Sequence, residues 1–300
     1  TASYNTAVGE HALYANTTGA DNTSIGFATL QANTTGASNT AVGKDALKTN
    51  TTAGYGVAVG HAALQNNTTG ANNVAIGYVA LQANTDQSNN TAVGYAALGA
   101  NTTGNQQVAI GADALAANTT GTINTAVGHN ALKTNTTGDA NVALGRNALY
   151  TNATGDYNVA VGYDCLFYST VDHLVAVGHE ALMQNTTGTS NVAVGKQALK
   201  VNTTGNSNTA IGYATLIANT TGQHNTAVGT NSLQSATTAD GNTAVGRDTL
   251  VYTTTGANNT AVGRDALAAN TTGGYNVAVG AYALDAATTA GDNTAVGYNA

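Results

Sequence analysis

"NTAVGRDALAANTTGGY", residues 259–275, is followed at once by "NVAVGAYALDAATTAGD", residues 276–292, and blocks of this kind fill the 300-residue chain. The glycine of "AVG" serves as an anchor. Gly9, Gly26, Gly43 and their successors to Gly162 lie seventeen residues apart, one interval of sixteen leads to Gly178, and seventeen resumes as far as Gly297. A helical pair needs about 34 residues or more per repeat, so this period suits one coil of a β-solenoid. A single coil cannot bury an apolar face of its own. Stacked coils can, and their stability is a sum of nearest-neighbour terms.

The columns sharpen the reading. Two residues before the anchor stands Ala, except at Ser24, and immediately before it stands Val or Ile, except at Leu144. Leu follows four residues after it, preceded by a small residue, and Asn stands four residues before it, except at Gly56, Gln107 and Leu174. The piece "N-[TV]-A-[VI]-G" is short, β-branched and bounded by turn formers, which predicts a strand. Side chains alternate along a strand. This places the Val/Ile and Thr/Val columns on one side, with Val/Ile and Leu in the coil's core, and turns Asn and Ala the other way. The glycine turns a corner that only a residue without Cβ tolerates. The "xxALxx" piece reads as a second extended segment; a helical turn capped by a residue such as Asp265 is the alternative. "NTTG" reads as the return turn. Eighteen coils at about 4.8 Å predict a rod of about 85 Å, with asparagine ladders bonded along its axis.

Composition excludes several classes. Charged residues make up 8% of the chain, against about a quarter usually, yet the Val, Ile, Thr and Leu at fixed positions argue for an ordered protein. The net charge of −7 is thinly spread and the eight Lys/Arg form no run, which argues against nucleic-acid binding. The single cysteine, Cys165, excludes an intrachain disulfide and a multi-cysteine metal site. No apolar run approaches the ~18 residues of a membrane span. The sequence starts and stops inside a repeat, which reads as an excerpt of a longer array or a processed fragment.

A face of Asn and Ala, almost without charge, predicts close packing against another surface, since a solvated strand face normally carries long polar side chains. Two or three identical solenoids side by side would cover it; a tight spot within one coil is the alternative. The "NTAVG" and "NVAIG" repeats resemble the head repeats of trimeric autotransporter adhesins, whose coils carry a similar [SN]-x-A-[IV]-G strand. They resemble still more the "NTAIGYxALxxNTTG" arrays of tail-fibre-type proteins of phages and bacteria. The resemblance covers the whole chain, and the "NTTG" turn departs from the shorter adhesin coils. It implies a parallel β-roll in a homotrimeric, surface-exposed fibre that binds cells, matrix or a host receptor.

Candidate functional residues lie in the variable columns. The position after the anchor glycine is often basic or aromatic and the next often acidic, giving a possible surface ridge of Lys44, Tyr78, Tyr95, Arg146, Tyr163, Arg247, Asp248, Arg264 and Asp265. Such residues suit a glycan or receptor, and equally a solvated corner. Asn-x-Thr opens many return turns, at Asn16, Asn33, Asn50, Asn67, Asn101, Asn118, Asn135, Asn152, Asn185, Asn202, Asn219 and Asn270. These match the N-glycosylation acceptor pattern, although Asn and Thr also serve the turn. Thr17 and Thr18, then Thr34 and Thr35, raise ice binding as a further possibility. One coil breaks the pattern: residues 163–178, "YDCLFYSTVDHLVAVG", lose one residue and gather Cys165, Phe167, Tyr168 and His173. A deletion in the return turn or an aromatic docking bump would explain it, with Cys165 as a buried small hydrophobe.

The six histidines are spread over three columns and suggest no ligand set, and no phosphate-loop or repeated calcium pattern is present. The expectation is therefore an all-β, parallel β-solenoid of about eighteen 17-residue coils, continuous over 1–300 with a one-residue slip within 163–178. It is expected to be a non-enzymatic fibre or stalk segment without cofactors, extracellular or on a cell or virion surface. Its expected partners are itself, as a trimer or filament, and surface glycans or a host receptor. A self-assembling filament of a sheath or biofilm matrix is the alternative, and an ice-binding solenoid the third.

Overall fold

A computed structural model describes residues 2–300. The chain forms two compact units, Thr1–Gly155 and Asp156–Ala300. The first holds β1 (Thr6–Val8), β2 (Thr23–Ile25), β3 (Thr40–Val42), β4 (Val57–Val59), β5 (Val74–Ile76), β6 (Thr91–Val93), β7 (Val108–Ile110), β8 (Thr125–Val127) and β9 (Val142–Leu144). The second holds β10 (Val159–Val161), β11 (Val175–Val177), β12 (Val192–Val194), β13 (Thr209–Ile211), β14 (Thr226–Val228), β15 (Thr243–Val245), β16 (Thr260–Val262), β17 (Val277–Val279) and β18 (Thr294–Val296).

Within each unit every strand pairs in parallel with the strand of the next coil, like with like. Ala109 stands opposite Ala126, and Ala244 opposite Ala261. The fold is thus an all-β parallel solenoid. The sixteen-residue interval leaves the ladder in step, because Val159, Ala160 and Val161 pair with Val175, Ala176 and Val177. The missing residue is taken up in the return turn, where the Asn158 amide reaches the carbonyl of Val171 at 2.8 Å.

The side-chain alternation is as expected, but its direction is reversed. The alanine at the centre of the strand is buried, as at Ala58, Ala109, Ala126 and Ala210. The residue after it faces out: Ile25 and Ile211 are 40% exposed and Ile76 and Ile110 39%. The reason is the narrowness of the coil. The strand's central column meets the small column before Leu, so that Ser24 Oγ lies 2.6 Å from Thr29 Oγ1, and Cys165 Sγ and Ser232 Oγ reach the carbonyls of Ala176 and Ala244 at 3.2 and 3.1 Å. A Val or Ile pointing inward has no room between these walls. Leu fills the remaining space and is fully buried in coil after coil, each contributing about 2 kcal/mol.

The "xxALxx" segment is neither strand nor helix. The second and fourth residues after the anchor glycine adopt positive φ, as at Asn130 (59°) and Leu132 (51°). Their amides then donate along the axis in opposite directions. Asn130 bonds the carbonyl of Ala112 in the coil before at 3.0 Å, and Leu132 that of Ala148 in the coil after at 2.9 Å. Left-handed geometry at leucine costs about 1–2 kcal/mol, which burial of the side chain and the axial bond offset. Asp265 likewise adopts φ 58° in this turn and caps no helix. The corner glycine behaves as predicted. Gly128 has φ +136°, and a Cβ there would lie 2.6 Å from the carbonyl oxygen of Gly145.

Two asparagine ladders complete the interior. In the return turn, Asn118 donates Nδ2 to Asn101 Oδ1 at 3.1 Å and to the Gly121 carbonyl at 3.0 Å. Before the strand, the backbone amide of Asn22 bonds Asn5 Oδ1 at 2.9 Å, while Asn22 Nδ2 reaches the carbonyl of Gly36 at 2.9 Å. Buried amides are satisfied by the neighbouring rung, which removes the desolvation cost of putting them inside.

The reversed faces make a direct prediction. Ala126→Val overpacks the interior and should cost about 1–3 kcal/mol, whereas Val127→Thr, one residue on and facing out, should stay within about 0.5 kcal/mol. Urea denaturation of the two variants measures both values.

Candidate functional site

The ridge residues Lys44, Tyr78, Tyr95, Arg146, Tyr163, Arg247 and Arg264 occupy the position after the anchor glycine and are exposed, while Asp248 and Asp265 stand one position on and are half-buried. Their contacts are made rung to rung. His61 and Tyr78 stack at 5.3 Å between ring centroids, and Tyr78 and Tyr95 at 5.5 Å with 8° between their planes. In the second unit Tyr163 stacks on His179 at 5.4 Å. Elsewhere a cation lies over a ring: Lys44 Nζ at 5.9 Å from Phe27, Lys196 Nζ at 5.9 Å from Tyr213, and Arg264 Cζ at 4.7 Å from Tyr282. Ring faces inside a stack are covered by their neighbours, so these rungs offer edges and hydroxyls to a ligand. Such contacts contribute about 0.5–1 kcal/mol each at exposed positions.

The next column supplies carboxylates. Asp248 Oδ2 lies 3.1 Å from Arg247 Nε and Asp265 Oδ2 lies 3.3 Å from Arg264 Nε. Arg264 also donates to the Tyr282 hydroxyl. The amide of Gln197 and the ammonium of Lys200, each at 2.8 Å, hold the Glu180 carboxyl below its ordinary range. A depressed carboxylate contributes stability above its unfolded pKa and loses it as the pH falls through the folded one, so this contact is intact at neutral pH. Arg146 is exposed on the same column. Within each unit the ridge is therefore a row of small axial contacts, and its members form no enclosed cluster.

The glycosylation candidates require correction. Asn33, Asn50, Asn67, Asn101, Asn118, Asn135, Asn152, Asn185, Asn202, Asn219 and Asn270 are buried, and Asn16 is half-buried. Their Nδ2 atoms are the donors of the inner ladder, as in Asn33 to Asn16 Oδ1 at 2.9 Å and to the Gly36 carbonyl at 3.0 Å. A sugar on such a nitrogen has no space and removes a bond the coil uses. The turn threonines are also engaged: Thr17 and Thr34 donate Oγ1 to the carbonyls of Thr34 and Thr51 at 2.9 and 3.0 Å. They are rungs of the stack, whereas Thr18 and Thr35, the next residue of each pair, are exposed.

In the irregular coil Cys165 is fully buried and its thiol is pushed up to about 12 by burial. Phe167 is half-buried, Tyr168 is 48% exposed, and their rings meet edge to face at 4.6 Å. His173 is exposed and stacks on Tyr157 at 5.4 Å. The aromatic bump is thus split between two places, the Phe167–Tyr168 pair and the Tyr157–His173 pair.

The surface that column reading assigned elsewhere is the outward strand face. In β1–β18 the first position is Thr or Val and the third Val, Ile or Leu, with no charged residue. The signal was present as an absence of charge and was attributed to the Ala and Asn columns instead. Among the described residues no group of three His, Cys, Asp or Glu could hold a metal ion, and no helix is long and apolar enough to cross a membrane. No protein-family model matches the chain, and no curated protein matches it.

The inner ladder is interrupted where Ala236 replaces Asn, leaving the buried Oδ1 of Asn219 without a donor. Ala236→Asn should supply one and raise stability by about 0.5–1.5 kcal/mol, read from the denaturation midpoint. Cys165 should resist alkylation at pH 8 in the folded chain and react once the chain is unfolded, which thiol titration with and without denaturant measures; rapid labelling of the native protein would contradict its burial.

Proposed function

We propose that this chain is a segment of a structural fibre or stalk outside the cell or on a virion, which extends, spaces and presents. The observation that carries this reading is the sameness of the coils. Interior polar groups are spent on bonds to the next rung, and each added coil adds length and surface without building a new kind of site. The exposed row of Tyr, His, Lys and Arg, repeated coil by coil, supports contact with surface glycans or a receptor along the chain. Hydrogen bonding from ring hydroxyls and guanidinium groups is its mode, since ring faces are taken up in the stacks. A self-assembling filament of a sheath or matrix uses the same properties without a receptor.

Antibodies raised against the purified chain should label intact cells or particles of the source without permeabilisation. Labelling that appears only after permeabilisation would overturn the extracellular reading. Replacing Tyr78, Tyr95 and Tyr163 by Ala should reduce binding to the natural surface at least fivefold with an unchanged circular dichroism spectrum; undiminished binding would leave the ridge as a solvated corner.

A further inference from the structure

The outward strand face carries an inference that is independent of where the chain resides. Nine strands in each unit present two parallel rows, Thr or Val at the first position and Val, Ile or Leu at the third. Along the third row Ile76 and Ile110 at 39% and Leu144 at 37% in the first unit, and Ile211 at 40% and Val245 and Val262 at 37% in the second, are exposed, and valines such as Val127 and Val228 are half-buried. A sheet face left in water normally alternates to long polar side chains. Here the charged and aromatic residues flank the strand, beyond the anchor glycine at positions such as Lys44, Arg146 and Arg247 and before the strand at positions such as Tyr55, Tyr157 and Tyr275, as a rim on either side of an apolar strip.

We propose that this strip is buried face to face against a second copy of the same chain. Three arguments select that occupant. Counting both rows, the nine coils of one unit offer on the order of 800 Å² of apolar surface, which is the share each partner gives to a standard interface and more than a monomer usually leaves open. The rows are spaced by the coil repeat itself. A partner with another spacing falls out of step after a few rungs, whereas a second copy stays in step and lets the Val and Ile rows interdigitate at the ~10 Å separation of packed sheets. The strip has no charge, so two identical copies meet without like-charge contact. A patch that binds its own image closes at two, and the alanine face that would have served a second contact lies inside the coil.

Light scattering on the full chain should give about twice 29.7 kDa. Ile76→Lys/Ile110→Lys combined with Val228→Lys/Val262→Lys should reduce it to a single chain with an unchanged circular dichroism spectrum. A milder probe, which adds no charge to the strand face, is Val127→Cys in a Cys165→Ser background. Its thiol should react with a maleimide at least tenfold more slowly at concentrations where the pair forms than after dilution. A single-copy mass for the unaltered chain, a three-copy mass, a pair that survives the lysines, or a thiol equally reactive at all concentrations would each overturn the proposal. A single-copy chain that slows ice recrystallisation would assign the Thr and Val rows to ordered water instead.

Discussion

Axial hydrogen bonding between neighbouring coils is the constraint on which the rest depends. Most amides on the strand, in the leucine turn and in the return turn point along the stack, while a few, such as Ala131 to Gly128 and Asn135 to Leu132, close a turn within the coil. The bonds from Leu132 to Ala148 and from Thr119 to Thr136, 2.9 and 3.0 Å, are only slightly longer than those beside the strands, such as Thr125 to Asn141 at 2.8 Å. Each coil thereby finds its backbone partners in the coils on either side. That requirement explains the near-constant coil length, the left-handed residues that redirect amides, and the glycine at the corner whose neighbour's carbonyl occupies the space of a Cβ. It also explains why Asn is kept: its side chain carries a donor and an acceptor on one planar group, so a column of them bonds to itself indefinitely.

The second constraint is width. Two walls that approach closely enough for Ser24 to bond Thr29 leave room for Ala, Ser, Cys or Thr between them, and for leucine only where the turn opens the space. The β-branched residues are then displaced to the outside, where they are half covered by their neighbours along the ladder. A strand face that looks like a core in composition is therefore a surface, and a column that looks like a close-packed interface is the core.

Period, strand position, corner glycine and asparagine ladder were all legible in the sequence, because each repeats in a fixed column and each has a single physical explanation. The direction of the strand faces was not, since alternation fixes two sets without saying which is inside; only the distance between the walls decides that, and a sequence does not print it. Positive φ at Leu132 was equally hidden, because leucine there is held by burial and gives no left-handed signature, whereas the Asp and Asn frequent in the column of Asn130 are residues that tolerate it. Asn33 and Asn118 illustrate a third limit. Their Asn-x-Thr pattern arises from turn and ladder requirements, and it coincides with a modification signal that the folded coil cannot accommodate. The ridge of Tyr78, Tyr95 and Arg264 was found because outward variable columns are visible as variability.

Axial stacking is tested most directly by cysteine pairs in a Cys165→Ser background. Tyr78 and Tyr95 occupy successive rungs, so Tyr78→Cys/Tyr95→Cys should close an intramolecular disulfide in dilute solution, the Cα separation of adjacent strands lying within the range a disulfide spans. Tyr78→Cys/Ala112→Cys, two rungs apart, should stay reduced under the same oxidant. Equal oxidation of both pairs, or none in the first, would contradict a stack of seventeen-residue coils laid like on like.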